Sequence, residues 1–540
     1  MGLFDGIQGE VDIEERPAQM PLGFFHNVEN LFDRCRQKPA KVSMIEEIVS
    51  EDAEGYGRLY RGGERRYSKQ MNLKVRHLAH RLGFAGPRMA AEGGPGTDPE
   101  ALLEAAFGKI RAMPRAGGGP GPGYPQMEGA AAEGGSEEAR QRRQQARQME
   151  REAYAAYGME WLAFAREPAH SAQEKVVLFF QNVWVVAFQG LRSASALRDY
   201  HERIRGGLGG NYPDLCKSLA RSPAMVRYLN LNQNRRGAPN ENFARELFEL
   251  FCLGEGNYTE ADVKEAARAL TGFVLDGDDT VRFVLRRHDA GPKTIFGERG
   301  AFDMEGLIDL IFRQPAAARF LPHELARFYL SEEGLPEELL SPLAESWRAS
   351  GYSIPFLLRT FFSADFFFAE RFRGNLIKSP IQFYLGLLQD LDLDVFPSPR
   401  LSLNPLRAMG QAFFNPPNVR GWVGGRQWIN SATLAARAQL VNSLFEDPGR
   451  LRLNADEEAA VALAKAHGKG RFTVDRPWLA ELGRMDDAEL ARTLAERFHA
   501  DPRPEALQPL LREVPAGLRG RARGTACLKL ALSCPAYHLC

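Results

Sequence analysis

The chain has 540 residues, 44% hydrophobic and 26% charged, with 69 Lys plus Arg against 69 Asp plus Glu. This is ordinary globular usage with ample material for a buried core, and the zero formal net charge argues against nucleic acid or an anionic membrane as the main partner. The six cysteines (Cys35, Cys216, Cys252, Cys527, Cys534, Cys540) contain no C-x-x-C pair, so a zinc knuckle and a dense disulfide framework are excluded and reduced thiols are expected.

The first residues lack a basic stretch followed by an apolar run, so the expected location is the cytoplasm. Residues 1–70 read as an N-terminal extension with little core-forming pattern. A helix is predicted over Leu73 to Leu82, stopping at Gly83, within a first helical segment spanning 71–111. Residues 112–160 read as an insertion. Its Gly- and Pro-rich stretch 115–125 holds neither a helix nor a central strand, and a long, exposed, Arg-rich helix follows over Ser136 to Tyr157. The apolar run Val176 to Phe188 is too short to span a bilayer and predicts a buried helix. A helical core covers 161–447, and a C-terminal helical segment covers 448–540. The fold class is all-α: a large multi-helix body with long irregular loops and one short hairpin arm at Val281 to Arg286.

Three stretches carry candidate chemistry. In the first, Pro239 and Asn240 open a helix on which Phe243, Leu247, Leu250 and Phe251 share an apolar face. Glu241, Arg245 and Glu249 form a ladder of opposite charges on the other face, flanked by Glu246. The ladder reads either as a solvated salt-bridged face or as a semi-buried polar network. The next helix starts at Thr259, where Thr259-x-x-Asp262 predicts a capping box. The second stretch, Arg286 to Thr294, gathers His288, Asp289 and Lys293 ahead of a Gly-Pro turn; it suits an anion-binding loop or a structural turn. The third, Asn415 to Ser431, sets Trp422 and Trp428 in a Gly- and Asn-rich loop, as core anchors or as a ring-stacking platform. The ten His and six Cys never fall into ligand spacing, so neither metal nor cofactor is expected.

Together these stretches resemble the bacterial family known as domain of unknown function 1800. The matching text is Asn240 to Phe251, Tyr258 to Val263 through Gly272, Arg287 to Thr294 and Pro416 to Ser431, with weaker matches at Gln314 to Leu321 and Ile377 to Pro380. It covers roughly residues 75–540. The resemblance implies a helical fold, no established activity and, often, a neighbouring gene for an exported phosphatase- or sulfatase-like protein, which is the candidate protein partner. Many members resemble Trp-His-Asn-His-Phe where this chain reads Phe180-Gln181-Asn182-Val183-Trp184, so both imidazoles are missing here.

Two functions remain open from sequence. One is a helical scaffold or assembly protein working with a protein partner. The other is a hydrolase or transferase acting on an anionic or glycan substrate. In that case Glu246 and Glu249 would exchange protons while Arg245, His288 and Lys293 steady negative charge. Under either reading the Arg- and carboxylate-rich face of the ladder helix needs partners of matching charge, which predicts one polar cluster of Asn234, Arg245, Glu246, Glu249, His288, Asp289 and Lys293, with Trp422 and Asn430 near its rim.

Overall fold

A computed structural model of the chain describes residues 72–94, 96–109, 113 and 137–540, all within one compact unit. The extension 1–70 and the Gly/Pro-rich stretch 115–125 lie outside the described residues. Helix dominates the described residues, as the sequence predicts.

The ten helices that bear on the site are α1 (Leu73–Leu82), α2 (Glu137–Arg166), α3 (Pro168–Val183), α4 (Ala194–Gly207), α5 (Asn242–Glu246), α6 (Glu260–Ala269), α7 (Pro315–Tyr329), α8 (Pro380–Asp390), α9 (Ser431–Ser443) and α10 (Gly520–Ser533). The first begins where Asn72 Oδ1 accepts the Lys74 N–H at 2.8 Å, and it ends at Gly83 as predicted. The exposed Arg-rich half of α2 also matches expectation, but the helix continues to Arg166. Tyr157, Trp161, Leu162 and Ala165 explain the extension, because they turn an apolar stripe into the core.

The run from Val176 is helical only to Val183. Trp184 to Ala187 continue as buried, extended chain, where the branched Val185 and Val186 favour a strand-like backbone. Thr259 and Asp262 form the predicted capping box at the start of α6. The ladder helix is less regular than its heptad-like pattern implies. After Glu246 it widens into a π-helical segment, Leu247–Cys252, which buries Phe248 as well as Leu247 and Phe251.

The hairpin arm exists: β2 (Val281–Phe283) pairs antiparallel with β1 (Phe273–Leu275), Phe273 opposite Phe283. A second hairpin was not predicted. In it, β3 (Lys293–Ile295) pairs with β4 (Glu298–Gly300) around Phe296 and Gly297, both at positive φ. A phenylalanine rarely occupies that turn position. Here its ring packs 5.1 Å from Phe248 and its N–H donates to Asp262 Oδ1 at 2.7 Å, so tertiary contacts outweigh local preference.

Near the C-terminus, α10 lies so close to Trp478–Leu482 that a Cβ at Gly524 would sit 1.8 Å from the Leu479 carbonyl oxygen. Beyond α10, the Lys378 N–H donates to the His538 carbonyl (2.8 Å) and the Cys540 N–H to the Leu376 carbonyl (2.9 Å), which fixes Cys540 beside the start of α8.

One buried ion pair joins α2, α3 and α4. Glu174 is fully buried and accepts Arg205 Nε at 2.7 Å, Arg205 Nη2 at 2.6 Å and Trp161 Nε1 at 2.7 Å. Glu174→Gln leaves the Arg205 guanidinium with Glu202 as its one remaining carboxylate, at 2.8 Å from Nη1, and is expected to cost about 3 kcal/mol. Urea unfolding with an unchanged m-value checks it; a loss below about 1 kcal/mol would show that the pair contributes no more than a surface bridge.

Candidate functional site

The residues singled out from sequence have partners in three separate groups. Asn234, His288, Asp289 and Lys293 form the first, all pinned against α6 or the turn that follows it. Asn234 Nδ2 donates to the Ala267 carbonyl (2.8 Å) while its Oδ1 accepts the Asn240 N–H (3.0 Å). Arg268 of α6 holds Asp289 through Nε (2.7 Å) and Nη2 (3.3 Å), and this guanidinium keeps the Asp289 carboxyl below its ordinary range. Lys293 Nζ donates to the Asp289 and Gly291 carbonyls at 2.6 and 3.1 Å, and His288 Nδ1 lies 3.0 Å from the Thr271 carbonyl. Each of these side chains closes a loop.

Arg245 belongs to a second group. Its Nη1 and Nη2 reach the two oxygens of Glu260 at 2.6 and 2.8 Å, and Nη2 also meets Glu241 at 3.3 Å. The Glu260 side chain is 67% exposed. This is the solvated ladder, extended across to α6, and exposed pairs of this kind contribute little. Asn430 stands apart as the N-cap of α9, in a capping box with Thr433.

Glu249 and Trp422 form the third group, and they line a cavity of about 1180 Å³. One face of α3 forms a wall of it. Lys175, Leu178, Phe179, Asn182 and Val183 all line it, at the i, i+3, i+4, i+7, i+8 spacing of a single helical stripe. The facing wall comes from α7, through Ala316, Arg319, Phe320, His323 and Arg327. The loop carrying Arg420, Trp422, Arg426 and Trp428 closes one side, and Arg81, Gln382 and Cys540 lie on another.

Asn182 holds that loop in place. Its Oδ1 accepts the Trp422 N–H at 2.8 Å and its Nδ2 donates to the Trp422 carbonyl at 3.2 Å. Gly421, at φ +76°, permits this approach, since a Cβ there would lie 2.4 Å from Asn182 Oδ1. The carboxylate of Glu249 is occupied, by Arg420 Nη2 at 2.6 Å and the Tyr258 hydroxyl at 2.9 Å. Glu246, half-buried, has its carboxyl pushed up by burial and then by Glu249. Burial and the hydrogen bond to Glu249 push the Tyr258 hydroxyl up to about 12.

Sequence reasoning missed the cavity's inner residues, above all Arg81 and Lys175. They are scattered along the chain and form no motif. The available signal was Lys175 itself, a charge at the head of the apolar run Val176 to Phe188. It is 4% exposed, and its Nζ donates to the Gly83 and His80 carbonyls at 3.0 and 3.4 Å. Burial brings its ammonium down to about 7; Arg81 and Lys378 act in the same direction, and Cys540 opposes them. Between about pH 7 and the ordinary lysine range the unfolded state therefore binds more protons, so stability rises with pH across that window. Lys175→Met removes this linkage. The variant is expected to exceed the unsubstituted chain in urea midpoint at pH 7, and the margin should shrink towards pH 10; a margin independent of pH would contradict the assignment.

Among the described residues, no group of three or more His, Cys, Asp or Glu is arranged to hold a metal ion, and no helix is long and apolar enough to cross a membrane. No curated protein and no solved structure matches the chain. The family described as "Protein of unknown function (DUF1800)" matches residues 77–539, which takes in the cavity wall except Cys540 and all of the three polar groups, and the chain belongs to that family.

Proposed function

We propose that this chain is a helical interaction protein whose cavity receives an extended segment of a protein partner. The observation that carries this reading is the size and lining of the cavity. About 1180 Å³ exceeds the range of about 300–1,000 Å³ usual for small-molecule sites. Its walls present Trp422, Trp428, Arg319, Arg327, Arg420 and Arg426, and Trp and Arg are the residue types that dominate the energetics of protein interfaces. Val423, 64% exposed, adds an apolar contact at the same loop. The buried thiols of Cys216, Cys252, Cys527 and Cys540 support a reducing compartment, the cytoplasm.

The hydrolase or transferase reading draws on Glu246, whose raised carboxyl suits proton transfer. It receives less support from the other members of the predicted set. Glu249 is tied by Arg420 and Tyr258, His288 meets the Thr271 carbonyl in the turn after α6, and Lys293 is hydrogen-bonded to a main-chain carbonyl of its own loop.

Affinity capture of the full chain from its own cells tests the proposal, with Val423→Asp and Arg426→Glu run in parallel. Both positions are exposed on the cavity loop, so the fold should be retained. The expected result is a stoichiometric protein held by the unsubstituted chain and lost from both variants. Equal capture by all three would overturn the cavity as the docking site. A co-purifying glycan or small anion in place of a protein would favour the second reading.

A further inference from the structure

The inner end of the cavity concentrates positive charge that, among the described residues, is in ion-pair contact with no carboxylate. Arg81 and Lys175 line it, at 1% and 4% exposed. Lys378, 1% exposed, lies within electrostatic range of Lys175 and of the buried His80. Among the described residues none of these three cations forms an ion pair. Lys175 Nζ donates to main-chain carbonyls, Arg81 to the Phe372 carbonyl, the Asn375 side chain and, at 3.8 Å, the Cys540 sulfur, and Lys378 lies over the face of Tyr537 at 3.8 Å. The nearest acid acting on Lys378 is Asp390, which takes the Tyr537 hydroxyl at 2.9 Å and is itself pushed up to about 6 by burial.

Buried cations without counter-charges are costly, and a core of the same shape built from apolar residues would avoid that cost. Two further donors point to what the arrangement is for. Arg81 Nε and the Tyr329 hydroxyl are buried and have no hydrogen-bond partner, and both residues line the cavity. Buried donors left open are rare. Arg81, Lys175 and Tyr329 line one cavity, with Lys175 Nζ 5.6 Å from the centre of the Tyr329 ring, and the two open donors lie buried just behind its inner wall.

We propose that the inner end of the cavity is a binding site for a single oxyanion group, a carboxylate, sulfate or phosphate, held by Lys175, Arg81 and the Tyr329 hydroxyl. This goes beyond the partner reading and does not depend on it, because the site is defined by buried charge and open donors alone. The anion supplies the missing counter-charge, and a charge-assisted hydrogen bond from Lys175 replaces its weaker contacts with carbonyls.

Isothermal titration calorimetry of the full chain with acetate, sulfate and phosphate, at ionic strength held constant with chloride, tests the site. Saturable one-to-one binding of at least one anion is expected. Acetate alone would identify a carboxylate ligand, and sulfate or phosphate a tetrahedral one. Lys175→Met should weaken binding at least tenfold while the thermal midpoint stays level or rises, since a buried unpaired charge is removed. A purely structural lysine would behave in the opposite way, with a lower midpoint and unchanged anion affinity. Tyr329→Phe removes only an open hydroxyl, so it decides the matter if Lys175→Met fails to fold; binding severalfold weaker supports the site. The absence of saturable binding by all three anions, or affinity unchanged in the folded variants, would overturn it.

Discussion

The Glu174–Arg205 pair is the constraint on which the placement of α3 depends, and α3 in turn forms a wall of the cavity. A carboxylate at the centre of the body is tolerable only because Arg205 grips both of its oxygens and Trp161 adds a third donor. That geometry fixes the rotation of α3 about its own axis. Residues one apart on a helix diverge by about 100°, so Lys175, next along the chain, faces a different environment. Two adjacent charges thus meet opposite fates. One is fully compensated by α2 and α4; the other lines the cavity and has no counter-ion among the described residues.

The helical architecture was largely legible because its signals are local. Asn72 and Gly83 bound α1, and Thr259 with Asp262 opens α6, each through a cap that needs only neighbouring residues. Where long-range packing decides, the reading failed. The α2 helix outlasts its charged pattern because Trp161 and Leu162 find a core, and the second hairpin turns at Phe296 because its ring packs on Phe248. The widening of the ladder helix at Leu247 is likewise invisible to a 3.6-residue pattern. It matters, because a π turn shifts the side chains beyond it, and Glu249 meets Arg420 and the cavity while Arg245 reaches back to Glu260.

The candidate site was legible in its parts and not in its grouping. Conspicuous motifs marked residues under strict geometric demands, and several of those demands are structural. Asn234, His288, Asp289 and Lys293 satisfy main-chain groups or bind a neighbouring guanidinium, and Asn430 caps a helix. Trp422 was marked too, and it lines the cavity on a loop held by Asn182. The inner cations were missed for a physical reason. A lysine at the head of an apolar run looks like the end of a helix until the fold carries it inside, and burial is a property of the whole body rather than of the segment.

The position of α3 also bears on the imidazole pair that this chain lacks. Gln181 and Val183 are two residues apart, and side chains so spaced on a helix point roughly 200° away from each other. Val183 lines the cavity, whereas Gln181 is fully buried and neither atom of its amide has a partner. Positions 181 and 183 of this helix therefore face different surroundings, one the core and the other the cavity. Asn182, common to both patterns, carries the loop that closes the cavity. The segment thus separates into a positioning residue, a core residue and a cavity residue. In this chain that wall offers an apolar Val183 and, two turns earlier, the ammonium of Lys175.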